Sequence, residues 1–271
     1  MIDNINSDEL QYILITKKID LISHRNNILN LFSRVFNRDL LSLYWEWFYT
    51  GSPLGEPIVS LCYYKDILVG HYATIPIPLK IGGVPIKAAI GCTIMVDKKF
   101  RCFNVFYETA SRVLSKLKTC NYDLIVGFPN ENVVSANKVF FGFNVEYSYV
   151  AKLKGSQIKN LYSNFNPVKT ICLDLDDLEY RKWRLSKPDV SYFYNHDSIF
   201  KYYQDDLELV YFGKEGIKHL DDNSFYRVIV DEQSDVSKES KLFNYYFAYK
   251  IFNTDLADFT VKKDLLMSDV F

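Results

Sequence analysis

TIMVDKKFRCFNVFYETA, residues Thr93 to Ala110, decides how the first half of the chain is read. Thr93–Val96 closes an apolar run and reads as the end of a strand. A short loop follows, carrying Lys98, Lys99 and Arg101. From Asn104 the period changes. Val105, Phe106, Ala110, Val113, Leu114 and Leu117 then fall on one face of a helix over 104–118, which ends near Lys116, Lys118 and Cys120. A strand running through a basic loop into a helix sets free backbone N–H groups beside positive side chains, which makes an anion site. A solvated basic loop has the same composition, so one loop motif does not decide.

Upstream, NNILNLFSRVF (26–36) has helical spacing, and LYWEWFYTGSPLGEP joins an aromatic cluster to a turn-rich corner. PIVSLCYY and ILVGHYATIPIPLKI read as strands joined at Lys65-Asp66. Gly82-Gly83 then gives a hairpin into IGGVPIKAAIGCTIMV. Downstream, YDLIVGF is a strand that turns at GFPNEN into a helix over 131–141, with Gly142 at its terminator position and NVEYSYVAKLK as the next strand. Strand–helix–strand at this spacing predicts a mixed sheet with a parallel pair. Later, strands are expected at 169–175, 207–212 and 225–231. DLEYRKWRLSKP and KESKLFNYYFAYKIF read as helices, although a strand fits inside the second. The polar run GSQIKNLYSNFNP (155–167) is the expected boundary.

Composition narrows the function classes. With 32 basic and 33 acidic residues, the charge balance does not suggest a nucleic-acid or anionic-membrane partner. No apolar run approaches the roughly 18–20 residues that span a bilayer, and the polar start MIDNINSDELQ does not read as a secretory signal. Five cysteines without a C-x-x-C pair predict neither a disulfide framework nor a zinc site, so the cytoplasm is expected. Aromatic content of 16% predicts a ring-rich core or ring-stacking surfaces in a pocket.

Val96-x-x-x-Phe100-Arg101-x-x-Asn104, between a strand and a long amphipathic helix, resembles the pyrophosphate loop of the GNAT superfamily of acyl-CoA-dependent N-acyltransferases. Asn130 followed by one short helix and Gly142-Phe143 resembles that family's next corner, and ILVGHYATIPIPLKIGG its strand before the central hairpin. The likeness covers about residues 25–150. Departures are visible: Cys102, Phe103, Asn104 and Phe106 stand where the family loop carries glycine or small residues. The family's tyrosine after the corner has no clear counterpart, with Asn137 or Lys138 near its place.

The resemblance implies an α/β protein with a mixed sheet, a GNAT-like acyl-CoA-binding domain over 1–155, and a second lobe over 156–271 with the content of a degenerate copy. It implies acetyl-CoA or another acyl-CoA as co-substrate, without a metal. The chain is similar to bacterial enzymes that acylate a nucleotide-linked aminosugar during surface-polysaccharide assembly, with the acceptor near the junction of the halves. Protein, peptide or aminoacyl amines and a non-catalytic binding module are the alternatives. Implied cofactor contacts are Ile94, Met95, Val96, Arg101, Cys102, Phe103, Asn104, Val105 and Asn132. For the catalytic group the candidates are His71, which reads first as a core histidine beside Val69, Ala73 and Ile75, and Asn130, equally readable as a helix cap. Glu46, Asp97, His196 and His219 remain open as a base. Trp45, Trp47 and Trp183 are candidates for stacking on the acceptor.

Overall fold

A computed structural model describes residues 7–101, 104–163 and 167–268. These fall into two compact units. The first takes in the described residues up to Ile77, with Lys87–Ile125 and Ile251–Thr254. The second takes in Pro78–Ile86, Val126–Lys250 and the described residues from Asp255.

In the first unit β1 (Leu10–Ile15) leads to α1 (Lys18–Ile22), α2 (Arg25–Phe36) and α3 (Ser42–Trp45), which runs into a π-helical turn over Glu46–Thr50. Strands β2 (Ile58–Tyr64), β3 (Ile67–Ile81) and β4 (Val84–Val96) follow, then α4 (Val105–Thr119) and β5 (Leu124–Gly127). The strand order is β1-β2-β3-β4-β5. β1 and β3 flank β2 antiparallel, with Tyr12 opposite Cys62 and Leu61 opposite His71. Ile58 to Tyr63 are all buried, so β2 is covered on both faces, and its run is apolar at successive positions except Ser60 rather than alternating. The helical face read from the sequence is the buried face of α4: Val105, Ala110, Val113, Leu114 and Leu117. Val105 joins Cys62, Val69, Val96 and Phe100 in one cluster.

Gly70 sets how closely α4 packs. A Cβ built there would overlap Val105 Cγ1 and stand 3.0 Å from Cys62 Cβ. The glycine of the Val69-Gly70 pair is therefore required by helix-to-sheet contact and not by a turn.

In the second unit α5 (Glu131–Phe141), β6 (Asn144–Lys154), α6 (Gly155–Leu161), β7 (Thr170–Leu173) and α7 (Leu178–Leu185) are followed by β8 (Tyr192–Asn195), β9 (Ser198–Tyr203) and β10 (Asp206–Phe212). Then come α8 (Lys214–Lys218), β11 (Phe225–Asp231), β12 (Lys241–Ile251), β13 (Thr260–Val261) and α9 (Leu265–Ser268). The order is β12-β6-β11-β10-β9-β8, with β10 and β11 parallel and β6 antiparallel to both neighbours. The tip of the β3–β4 hairpin also belongs here: Leu79, Lys80 and Ile81 pair with Leu173, Cys172 and Ile171 of β7. Its turn residues Gly82 and Gly83 both have positive φ, as the hairpin reading required. Tyr149, Ala151, Leu153, Phe200, Leu209, Tyr226 and Val228 form this unit's core.

One expectation is corrected. The segment read as a helix over 238–252 is mostly β12, paired with β6. Its Phe243, Tyr245, Tyr246, Phe247 and Tyr249 favour a pleated surface, and the strand partner outweighs the helical spacing. The polar run 155–167 begins as α6, whose Ile158 is fully buried in the core.

Candidate active site

β4 ends against the basic loop as expected. Met95 and Val96 are buried and Ile94 is half-buried. Asp97 organises the loop: its backbone N–H donates to Val69 O, its carboxylate accepts from the Lys99 N–H, and it pairs with Arg34 Nε at 2.8 Å. Arg34 also donates to Leu68 O, so α2 ties the loop to β3. Lys98, Lys99 and Arg101 are exposed, and Arg101 Nε donates to Val96 O at 3.3 Å, which holds its guanidinium at the end of β4.

Asn104 is the N-cap of α4 and its side chain makes no capping bond. The first-turn N–H groups are thus left uncapped by it, at the end of the loop that carries Arg101 and the two lysines. Asn104 has φ −70°, so this position needs no left-handed backbone and its departure from glycine costs no strain. The Phe106 ring packs against the Cys62–Val69–Val96–Phe100–Val105 cluster. Cys102 and Phe103 lie outside the described residues.

β5 has four residues against the thirteen of β4, so β5 cannot follow β4 along its whole length. The two are tied at Lys87, whose carbonyl accepts from the Asp123 N–H. Further along, β4 breaks its own regularity. Thr93 has φ +50°, a left-handed conformation that a β-branched residue rarely adopts. Outliers of this kind concentrate at functional sites.

His71 lies under this irregularity. It is fully buried, with Nδ1 2.7 Å from Thr93 O and Nε2 3.3 Å from the Tyr49 hydroxyl. A carbonyl can only accept, so Nδ1 carries the proton and Nε2 receives the Tyr49 O–H. Burial pushes the His71 pKa down to about 4, which keeps the ring neutral at pH 7.

In the second unit the corner GFPNEN forms one wall of a cavity of about 400 Å³. Phe128, Pro129, Asn130 and Glu131 face Phe243, Asn244, Tyr245 and Tyr246 of β12. Asn130 is the N-cap of α5, yet its side chain makes no capping bond. Phe128 stands 5.3 Å from the Tyr245 ring and 5.2 Å from Phe247. Among the described residues the lining holds aromatic faces, two amides and one carboxylate, with no lysine or arginine. Asn132 is exposed on the first turn of α5, and Asn137 is buried while Lys138 lies over the Tyr147 ring. The β12 half of this wall was not anticipated, because it lies more than a hundred positions along the chain.

Trp45 and Trp47 are buried in the first unit, where Trp45 packs on Tyr49 and Arg25 lies over its ring. Trp183 is half-buried on α7 of the second unit, beside Tyr180. Glu46 pairs with Arg25, and His196 and His219 stack on each other at 3.6 Å. Among the described residues there is no cluster of three or more metal-ligating side chains, and no helix long and apolar enough to cross a membrane.

No protein-family model matches the sequence, and the search of curated proteins finds no relative. Solved structures do match. A GCN5-related N-acetyltransferase from Kribbella flavida aligns with a TM-score of 0.60 and 10% identity, over 93% of this chain and 74% of its own. A GCN5-related N-acetyltransferase from Anabaena variabilis gives 0.58 and 11%, over 91% and 74%. Eis1 from Mycobacterium abscessus gives 0.60 and 11%, over 91% and 75%. Likeness at such low identity speaks to the fold alone: this chain has the mixed α/β fold of the GCN5-related N-acetyltransferases.

Proposed function

We propose that the protein is an N-acyltransferase that moves an acyl group from acyl-CoA to an amine, in the cytoplasm where acyl-CoA is made. One observation carries this reading. Within a few residues, the first unit sets a left-handed break in β4, an arginine anchored to the strand end, and a helix N-terminus that the Asn104 side chain does not cap. Arg101 and the first-turn amides of α4 suit the diphosphate of CoA. Backbone groups of Ile94–Val96 suit the pantetheine arm, and Met95 and Val105 back the strand and the helix. A neutral amine attacks the thioester carbonyl, the oxyanion collapses, and the C–S bond breaks. The nitrogen's proton is lost to solvent and the thiolate is reprotonated. No covalent enzyme intermediate is needed, and positioning with oxyanion stabilisation supplies the rate.

The finer reading is a nucleotide-linked aminosugar as acceptor. Its support is the second unit's cavity, whose rings offer stacking faces for a sugar and whose Asn130 and Asn244 offer amides for its hydroxyls. Sealed among core rings, Trp45 and Trp47 are poor candidates for that stacking. A second reading is favoured by the same cavity. Glu131, and a lining without a cation among the described residues, suit an amine without a phosphate, such as a free aminosugar or a lysyl peptide.

Thiol release from several acyl-CoAs, measured against nucleotide-linked aminosugars, free aminosugars and lysyl peptides, tests these readings together. Turnover confined to the nucleotide-linked set supports the first acceptor. Turnover only with the others supports the second, and none at all sinks the enzyme reading. Arg101→Ala is expected to raise the KM for acyl-CoA about tenfold with a smaller change in kcat, since a charge-assisted bond is worth about 1.5–3 kcal/mol. Glu131→Gln is expected to raise the KM of the amine roughly three- to tenfold and leave that of acyl-CoA unchanged. An unchanged amine KM would remove Glu131 from the acceptor site.

A further inference from the structure

We propose that Tyr49 and His71 form a buried positioning pair that fixes the Thr93–Ile94 peptide of β4 and so holds the Ile94 N–H where it donates to the thioester oxygen, the oxyanion role that the acyl-transfer reading gives this strand. The inference rests on the acyl-transfer reading and assigns His71 a role other than general base.

At the break in β4, two side chains satisfy carbonyls: Cys92 Sγ donates to Ala73 O at 3.3 Å, and His71 Nδ1 donates to Thr93 O at 2.7 Å. A trans peptide directs its C=O and N–H to opposite sides. Pinning the Thr93 oxygen on the imidazole therefore turns the Ile94 N–H away from the ring. The left-handed φ of Thr93 is sterically costly for a β-branched residue, so it persists only where the surroundings hold it.

The holding groups are rigid. His71 and Tyr49 are both fully buried, and the Tyr49 ring meets the imidazole edge-on at 5.9 Å and Phe48 at 4.9 Å. Tyr49 stands on the π-helical turn over Glu46–Thr50, closed by the Gly51 N–H to Glu46 O. Gly51 fits there because a Cβ would come 2.7 Å from Trp47 O. Such turns re-aim side chains and recur at functional sites. The tyrosine hydroxyl occupies Nε2 and so fixes the tautomer that presents Nδ1–H to the carbonyl. With both nitrogens engaged inside the core, the ring has no path to a substrate proton.

The test uses the full chain and three variants: His71→Leu, which removes the donor; His71→Asn, whose amide N–H stands near the place of Nδ1; and Tyr49→Phe. The first readout is the carbonyl stretch of 13C-labelled acetyl-CoA bound to each protein, which needs no turnover. The second is kcat, KM and their pH dependence. Binding to wild type is expected to shift the stretch to lower frequency. His71→Leu should abolish the shift and lower kcat about 100-fold while the Kd for CoA stays within about threefold. His71→Asn should recover the shift and at least tenfold of the rate, with the pH profile unmoved, and Tyr49→Phe should fall between. Should His71→Leu fail to fold, the wild-type shift and its retention in His71→Asn decide the matter. An unshifted carbonyl in wild type, an Asn variant as poor as the Leu variant, or loss of an acidic limb in His71→Asn would overturn the pair. Absence of any acetyl-CoA binding would instead sink the underlying donor reading and the pair with it.

Discussion

Gly70→Ala is expected to lower stability by about 2–3 kcal/mol, the upper range for forcing a methyl into a close-packed core. The new Cβ would overlap Val105 Cγ1 on the first turn of α4 and press on Cys62 Cβ at 3.0 Å and Thr109 Cγ2 at 3.4 Å. β3 is hydrogen-bonded to β2 through this stretch, with Cys62 opposite Gly70, so the strand cannot withdraw cheaply. The helix must move instead, and with it the amides of its first turn. Denaturant unfolding of Gly70→Ala, Val105→Ala and the double variant checks the cause. Removing the valine methyls should make the glycine replacement cheaper by at least about 1 kcal/mol, a coupling typical of touching residues. Strictly additive losses would mean that the Gly70–Val105 contact is not what limits the packing of α4.

Acidification is expected to cost about 3 kcal/mol through His71 alone. Its pKa falls from 6.5 in the unfolded chain to about 4 in the folded one because burial disfavours the charged ring. In that interval the unfolded chain binds the extra proton, so this contribution is complete above pH 6.5 and is lost as pH falls toward 4. His24 is shifted the same way by its own partial burial. Asp264 works in the opposite sense, since burial raises its carboxyl pKa and favours the protonated folded form. Comparing wild type with His71→Asn cancels both. The variant should lose most of the slope of stability against pH between 6.5 and 4. An unchanged slope would show that His71 titrates in the folded protein much as it does in the unfolded chain.

Elements with a strong period were readable from sequence, and those set by partners were not. α4 and α5 show a clean helical face and definite ends, and β2 to β4 are separated by recognisable turns, so these appear within a residue or so of the expected bounds. β12 was misread because its aromatic run also satisfies a helical spacing, and only pairing with β6 decides the matter. β1, β8 and β9 were not anticipated: all three are short, with exposed apolar residues such as Ile13, Phe193 and Tyr202 that blur the alternation. The site shows the same division. Residue types marked the basic loop and the Asn130 corner, but the left-handed Thr93 runs against what a β-branched residue suggests. His71 could be picked out as unusual, while its partners Tyr49 and Thr93 emerge only when β3, β4 and the π turn are brought together. The 16% aromatic content places Trp45 and Trp47 in the core and Phe128, Tyr245 and Tyr246 on a cavity wall.

Titration of CoA into the protein, by calorimetry and at two salt concentrations, tests the central assignment most directly. Saturable one-to-one binding is expected that weakens about tenfold in Arg101→Ala and weakens further in high salt, because the diphosphate meets an exposed guanidinium and helix amides. No heat of binding up to millimolar CoA, or binding indifferent to Arg101, would contradict it.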